Sequence, residues 1–466
     1  RHQPYPPFDD FYTEPLLPHS FSQESPLLAA ADIDGNGALD FFVSSGPRQA
    51  GVLYLQSSDG NLTRRTFDKG GYFEDMGAAW LDADGDGDAD LFVCSGGTRH
   101  LEGDASLQDR LYLQKEGRFV RAQNALPVMA TFTKSPVRVD FDGDGDDDLF
   151  VGGRTIYSDY PRSPQSYLLE NQGGVFRDVS AGRLPGAGKL GMIADAAAAD
   201  LDQDGIPELI LAVEWGAVTI LQWSGDAYLD VTDRFAHAQR LGWWQSVEVT
   251  DINRDGYPDI LAGNLGLNNP FAENLPLKLF HTDLDRNGKR DAILAWYAPS
   301  ETGERRFFPF ALRDELTAQI PSIKTMYPTY AAFSSVAVPD LLQLTEERVT
   351  EQTINSLESL LLINRAGNDF TAQPLPKPAQ WGPGHVFVIA DFNRDGRSDL
   401  LCAGNSRDLP VAMSWNDASM GALLLADNSG FSHLPNREVN LFLRHQIRDV
   451  IRINAHQFIL TDYAGA

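Results

Sequence analysis

The sequence is short of cysteine, of basic residues and of long apolar runs, and each shortage excludes a class of protein. Only two cysteines occur, Cys94 in LFVCSGG and Cys402 in LLCAGN. Two such residues form no disulfide framework, and their apolar settings predict buried thiols. Lys and Arg number 38 against 65 Asp and Glu, a formal net charge of −27. No basic stripe exists to neutralise phosphates, which excludes nucleic acid as a partner. The same imbalance disfavours an anionic membrane surface. No apolar run approaches the length that spans a bilayer, so no transmembrane segment is expected. The nine histidines are scattered singly, without an HxH or HExxH pattern for zinc. GxSxG, phosphate-loop and nucleophilic-cysteine contexts are also missing, so no catalytic residue is assigned. The chain starts at Arg1 without a signal-peptide pattern, which fits a processed chain.

What the sequence has in abundance is acid, and the acid is periodic. The pattern D-x-[DN]-x-[DN]-G-x-x-[DE] occurs seven times, beginning at Asp32, Asp82, Asp140, Asp200, Asp251, Asp283 and Asp391. The first five copies start about 50 to 60 residues apart; the next gap is 32 residues and the last is 108. Self-similarity at such a period is the mark of a repeat architecture.

Strand-length runs rich in Val, Ile, Leu and Phe flank each copy, such as GAAWL before and LFVCSGG after the second. A Gly-containing acidic loop between two such runs reads as a β-hairpin. Most hairpins are followed by a second strand pair with its own turn, as in DRLYLQKEGRFVRAQ and SLLLINRAGNDFTAQ. Two hairpins make one four-stranded sheet, which cannot bury both of its own faces. A radial array can, so the expected fold is all-β, a single β-propeller domain over 1–466 with seven or eight four-stranded blades. The short gap leaves no room for an outer hairpin in the fifth unit. The long gap holds a partly helical insertion over 299–353, within the sixth repeat, with helices in ALRDELTAQI and PDLLQLTEERVTEQTI. The C-terminal QIRDVIRINAHQFILTDYAG reads as one more hairpin, closed against strands from FDDFYTEPLL.

The loops have the chemistry of calcium sites. Positions 1, 3, 5 and 9 offer side-chain oxygens, position 7 a backbone carbonyl, and the Gly at position 6 permits the sharp turn. The candidate ligands are Asp32, Asp34, Asn36 and Asp40; Asp82, Asp84, Asp86 and Asp90; and Asp140, Asp142, Asp144 and Asp148. They continue with Asp200, Asp202, Asp204 and Glu208; Asp251, Asn253, Asp255 and Asp259; Asp283, Asp285, Asn287 and Asp291; and Asp391, Asn393, Asp395 and Asp399. Soft metals would want Cys or His, which the loops lack. An EF-hand needs a Glu at position 12, where this chain has Val43, Val93, Val151, Leu211, Ala262, Leu294 and Cys402. About seven Ca²⁺ ions would bring the net charge from −27 to about −13, coupling folding to calcium. Extracellular calcium modules bind at roughly 0.1–1 mM, so cytosolic calcium would leave such sites empty. The expected location is extracellular, cell-surface or periplasmic.

The loops and flanks resemble the FG-GAP/VCBS repeat of integrin α-chain propellers and bacterial surface proteins. The segments EPLLPHSFS, GWWQSVEVTDINRDGYPDILAGNLGLN, FPFALRDEL and PTYAAF are similar to bacterial VCBS-repeat proteins related to cartilage acidic protein, which often carry an ASPIC/UnbV segment. That resemblance implies calcium binding and an exported location, and no chemical reaction. Propeller ligands usually sit opposite the calcium hairpins, which directs attention to Glu74, Asp75, Phe132, Lys134, Met192, Trp243, Trp244 and His385. Of these, Trp243, Trp244, His385 and Lys134 are the candidate ligand face, with one indole of the Trp pair exposed and the other in the core. The expected function is a scaffold subunit that binds another envelope or extracellular protein. The alternatives are a glycan-binding module, supported by Trp243, Trp244 and Trp381, and a polysaccharide lyase or hydrolase.

Overall fold

The computed structural model describes residues 9–22, 24–44, 46, 49–67, 73–410, 415–427, 430–454 and 457–462. The chain is all-β, built mainly of antiparallel four-stranded sheets with a few short helices. The first sheet runs Leu28–Ala31, Asp40–Val43, Val52–Gln56, Leu62–Thr66, each strand pairing with the next in sequence. The second is Asp75–Leu81, Asp90–Ser95, Arg110–Lys115, Arg118–Arg121. The third is Phe132–Val139, Asp148–Thr155, Tyr167–Asn171, Phe176–Asp178. The fourth is Met192–Ala199, Glu208–Gly216, Val218–Trp223, Tyr228–Asp230. In each, an acidic loop joins the first strand to the second, as the sequence predicts.

The fifth sheet breaks the sequential order. Its strands are Ser246–Thr250, Asp259–Gly263, Leu360–Asn364 and Phe370–Pro374. The expectation that this unit lacks an outer hairpin is therefore wrong: the pair read in SLLLINRAGNDFTAQ completes it, almost 100 residues downstream. Between its second and third strands lies another sheet, ordered Arg305–Pro309, Asp291–Pro299, Leu277–Thr282, Thr350–Ile354. The sixth acidic loop belongs to this inserted sheet. Spacing misled because loop closure costs grow only slowly with length, so pairing follows edge complementarity rather than proximity. The helices Arg313–Gln319, Ser322–Met326, Tyr330–Phe333 and Val338–Leu341 pack on the inserted sheet, with Leu316, Ile320, Ile323 and Leu341 all fully buried. The later part of PDLLQLTEERVTEQTI is the edge strand Thr350–Ile354, not helix.

A sixth sheet, Val386–Ala390, Asp399–Ala403, Ala422–Asp427, Gly430–Leu434, is followed by the hairpin Ile447–Asn454 and Gln457–Asp462. The segment expected to pair with that hairpin instead contains the short helix Asp10–Thr13, with Phe8 outside the described residues. Strand Ile447–Asn454 lies against the first sheet, where Leu28 N donates to Asp449 Oδ2 at 2.7 Å.

Consecutive sheets pack face to face. Phe92, Leu111 and Cys94 of the second meet Leu149, Val151 and Leu169 of the third. Phe150 and Leu168 of the third meet Ile193, Leu209 and Leu221 of the fourth. The fourth and fifth share Ile210, Ile220, Ile260 and Leu362, and the fifth and sixth share Leu261, Leu361, Leu400 and Leu424. Most of these side chains are fully buried, each worth roughly 1.5–3 kcal/mol of transfer free energy. The two cysteines are buried and unpaired, as expected. Among the described residues no helix is long and apolar enough to cross a membrane.

Candidate metal sites and the central cavity

The seven acidic loops share one backbone conformation and one hydrogen-bond pattern. Position 6 is Gly with φ between +84° and +95° in all seven. Position 4 is also left-handed in all seven, whether Gly35, Gly85 and Gly143 or Gln203, Arg254, Arg286 and Arg394, the last four at φ +61° to +65°. The position 6 amide donates to the position 1 carboxylate throughout, from Gly37 to Asp32 at 2.9 Å to Gly396 to Asp391 at 2.8 Å. The position 7 amide donates to the side-chain oxygen of position 5 in every loop. Position 9 is bound from behind, its carboxylate accepting the amide of position 2 in every loop.

Position 9 also ties the loop to the rest of its sheet. Asp40, Asp90, Asp148, Asp259 and Asp399 accept the amides of Gln56, Gln114, Asn171, Asn364 and Ala426 in the third strand. In three cases the same third-strand residue reaches the preceding loop. Gln114 Nε2 donates to Ile33 O, Asn171 Nδ2 to Ala83 O and Asn364 Nδ2 to Leu201 O, and each acceptor is position 2 of its loop. The loops are thus structural joints between sheets as well as clusters of oxygen.

These clusters are close enough to share an ion. In five loops, carboxylate oxygens approach within 4.8 Å of one another: Asp32, Asp34 and Asp40; Asp82, Asp84 and Asp86; Asp140, Asp142 and Asp148; Asp200, Asp202 and Glu208; Asp283, Asp285 and Asp291. The Asp251 and Asp391 loops have Asn253 and Asn393 at position 3, whose amides donate to Asp255 at 2.9 Å and Asp395 at 3.0 Å.

Their electrostatics are those of sites built around a positive charge. Burial pushes Asp90 up to about 6, with Asp84 and Asp86 repelling it further. Burial likewise raises Asp148 and Glu208 to about 7, and Asp259 and Asp291 to about 6, with the other carboxylates of each loop adding to the rise. Asp82 Oδ1 and Asp84 Oδ1 are buried without a hydrogen-bond donor. The Lys115 ammonium pairs with both Asp84 and Asp86, the latter at 3.1 Å, where a cation is wanted. An all-oxygen set with orphaned carboxylate oxygens suits a hard divalent cation. Asp146, at position 7 of the third loop, was expected to contribute only its carbonyl. Its side chain also has a buried oxygen without a partner, and burial and Asp144 raise its carboxyl to about 6.

The expected ligand face takes a different form. Glu74 and Asp75 are buried, and Asp75 pairs with Arg110. Met76, Phe132, Met192 and Trp243 join one core with Leu17 and Phe21 of the N-terminal segment and Leu277, Leu279, Leu294 and Ile354 of the inserted sheet. That end of the first strands is covered. Trp243 and Trp244 are each 1% exposed, so neither indole offers a stacking platform, contrary to expectation. Trp244 packs between the fourth and fifth sheets and donates Nε1–H to Gly216 O at 2.9 Å. The cause is the cover itself, which the sequence does not place over this end.

Lys134 and His385 do come together, in a cavity of about 240 Å³ lined by the first strands of the six sheets and by Ile447–Asn454. One wall carries a buried network that the sequence reading missed. Glu214 accepts from Tyr160 Oη at 2.7 Å and Arg154 Nη1 at 2.7 Å, and its other neighbour is His19 Nε2 at 2.9 Å. These charges hold Glu214 low, at about 2, against the opposing effect of burial. Glu24 pairs with Arg154 and Lys134. On another wall Arg448 lies 2.9 Å from His385 Nε2 and pairs with Asp408. Burial, then Arg448, keeps His385 neutral. The available signal was an acidic residue inside a first strand: Asp195 in IADAAAA, Glu248 in SVEVT and Asp449 in IRDVI.

A comparison with curated proteins found no match. A family model described as an FG-GAP-like repeat matches residues 32–93, 140–211 and 200–262, intervals that contain the first five acidic loops. The chain therefore carries FG-GAP-like repeats, three of them over its first 262 residues.

Proposed function

We propose that the chain is a calcium-loaded, seven-bladed β-propeller acting outside the cytoplasm as a rigid scaffold that binds another extracellular or envelope protein. The observation that carries this reading is the order of contacts among first strands. Leu28–Ala31 touches Asp75–Leu81, which touches Phe132–Val139, then Met192–Ala199, then Ser246–Thr250. Ser246 Oγ donates to Gly384 O at 2.6 Å, leading to Val386–Ala390, which touches Ile447–Asn454, which touches Leu28–Ala31. Six sheets and the C-terminal hairpin make seven members, with the inserted sheet outside the ring.

Calcium is the ion favoured by the loop chemistry, at about seven sites. Extracellular calcium modules bind at roughly 0.1–1 mM, and loops of that class would be filled only outside the cytoplasm, which supports an exported location. The inserted sheet and its helices are the candidate contact surface. Leu312 and Tyr330 are 53% and 56% exposed there, beside a groove lined by Phe308, Phe310 and Phe333. The test is affinity capture from the extracellular fraction of the source cells in excess calcium, comparing the parent with a Leu312→Ser/Tyr330→Ser double variant. A protein retained by the parent and lost by an equally stable variant supports the scaffold reading. An identical set on both removes the contact surface, and nothing captured by either removes the scaffold role.

A further inference from the structure

The inserted sheet has one face closed along its length and one closed only in part. Ile293 and Ala295 belong to the face that packs on the helices, with Leu316, Ile320 and Ile323. Their neighbours Ala292 and Leu294 point the other way, into the core with Trp243 and Phe271, because successive side chains of a strand alternate. Trp296 continues that second face outward and is only half-buried against the same core. Phe308 stands opposite Trp296 in the neighbouring strand, and it too is half-exposed. Past the ring this face opens into a groove of about 690 Å³, which Phe310, Leu312, Tyr330 and Phe333 also line. An apolar face that runs on beyond the interface it forms is the kind of patch that marks an interaction site.

The charges at the groove select what can sit there. Arg306 pairs with Asp340 at 3.2 Å. Arg313 pairs with Asp314 at 3.1 Å and donates to Tyr327 O at 2.7 Å and Pro328 O at 3.2 Å. Both arginines of the groove are thus engaged. Glu301 and Glu304 line the same groove, on the turn between Asp291–Pro299 and Arg305–Pro309. Both are exposed, and neither has an ion-pair partner among the described residues. An apolar floor with two unbalanced negative charges at its turn is complementary to an apolar chain that carries positive charge.

We infer that this groove holds a short apolar segment of the partner protein that ends in Lys or Arg, with its cationic end on Glu301 and Glu304. The inference rests on the scaffold reading and names the chemistry of what the scaffold takes. An acidic segment is disfavoured by the same two carboxylates, since neither arginine is free to receive it.

The test is a fluorescence anisotropy titration of the calcium-loaded full chain with a fluorescein-labelled peptide, Leu-Trp-Leu-Phe-Gly-Lys-Lys. One control has Glu-Glu in place of Lys-Lys, and a second has Ser in place of every apolar residue. The Lys peptide should bind saturably, the Glu peptide about fivefold to tenfold more weakly, and the Ser peptide not at all. A Glu301→Lys/Glu304→Lys variant should reverse the preference between the Lys and Glu peptides. That reversal excludes general attraction to an acidic chain, because the swap changes the formal net charge only from −27 to −23 (−27 + 4). Leu312→Ser/Tyr330→Ser should remove binding of both. All four positions are exposed, so thermal unfolding of the variants should match the parent. The inference is overturned if the Lys peptide does not bind, if the Ser peptide binds equally, or if the preference survives the charge swap. Capture of a protein that needs Leu312 and Tyr330 but tolerates the charge swap would sink this inference and leave the scaffold reading standing.

Discussion

Asp259 Oδ1 accepts the backbone N–H of Asn364 at 2.8 Å, although 105 residues separate them. The same Asn364 donates its side-chain amide to Leu201 O of the preceding loop at 2.8 Å and to Pro258 O at 3.0 Å. One carboxylate therefore fixes the strand that returns after the inserted sheet and, through it, the next loop along. Asp259 is 1% exposed, so nothing in the solvent can replace it. Asp259→Ala should destabilise the fold by about 2–4 kcal/mol, since it orphans buried amides as well as removing a charge. Asp255→Ala, in the same loop but exposed, should lower calcium affinity with a much smaller effect on the ion-free fold. Denaturant unfolding with calcium and with chelator separates the two, and equal losses in chelator would contradict the joint role of position 9.

The left-handed residue at position 4 gives a second prediction. Arg254 stands at φ +63° where other loops have Gly. A non-Gly residue pays roughly 1 kcal/mol for that conformation. Arg254→Gly should therefore stabilise the chain by about 0.5–1 kcal/mol, whereas Gly256→Ala, at φ +95°, should destabilise it by a similar amount or more. Thermal unfolding reads both.

How much of this was legible in the sequence follows from what each feature depends on. Position 9 was identifiable because its spacing within nine residues is local, and the same holds for the flanking strands. The partner of Asp259 was not, because the pairing of Asp259–Gly263 with Leu360–Asn364 is set by edges that meet only after the intervening sheet folds aside. Trp243 failed as a ligand residue for the same reason: its cover comes from Phe21 and Leu277, distant in sequence, while Trp244 is buried between the fourth and fifth sheets. Asp195, Glu248 and Asp449 were not singled out from the sequence, because that they line one cavity depends on how their sheets are arranged in space.

Acidity should act oppositely on the ion-free and calcium-loaded chain. Asp90, Asp148, Glu208, Asp259 and Asp291 are held at about 6 to 7, above the ordinary carboxylate value, by burial and by their neighbours. A raised carboxylate binds its proton more tightly folded than unfolded. Its contribution is fully present below about pH 4, the unfolded carboxyl value, and is lost as pH rises from there through 6 to 7. In chelator, Tm should fall between pH 5 and 7.5. With calcium, which needs the ionised form, Tm should rise over the same range. A parallel response in both conditions would show that these groups do not meet the ion.

Lys115 is a built-in competitor at the second loop, its ammonium paired with Asp84 and Asp86. Lys115→Met should tighten calcium binding there severalfold by removing the like charge. A lanthanide luminescence titration reads the change, and weaker binding would mean that Lys115 helps to shape the site.

The central claim is that the repeated loops hold calcium and that the fold depends on it. The direct measurement is elemental counting of calcium per chain, paired with thermal unfolding before and after chelation. Seven loops with one conformation, five of them with gathered carboxylates, predict five to seven ions and a large fall in Tm on chelation. Two ions or fewer, with an unchanged Tm, would reduce the loops to acidic turns and contradict the account.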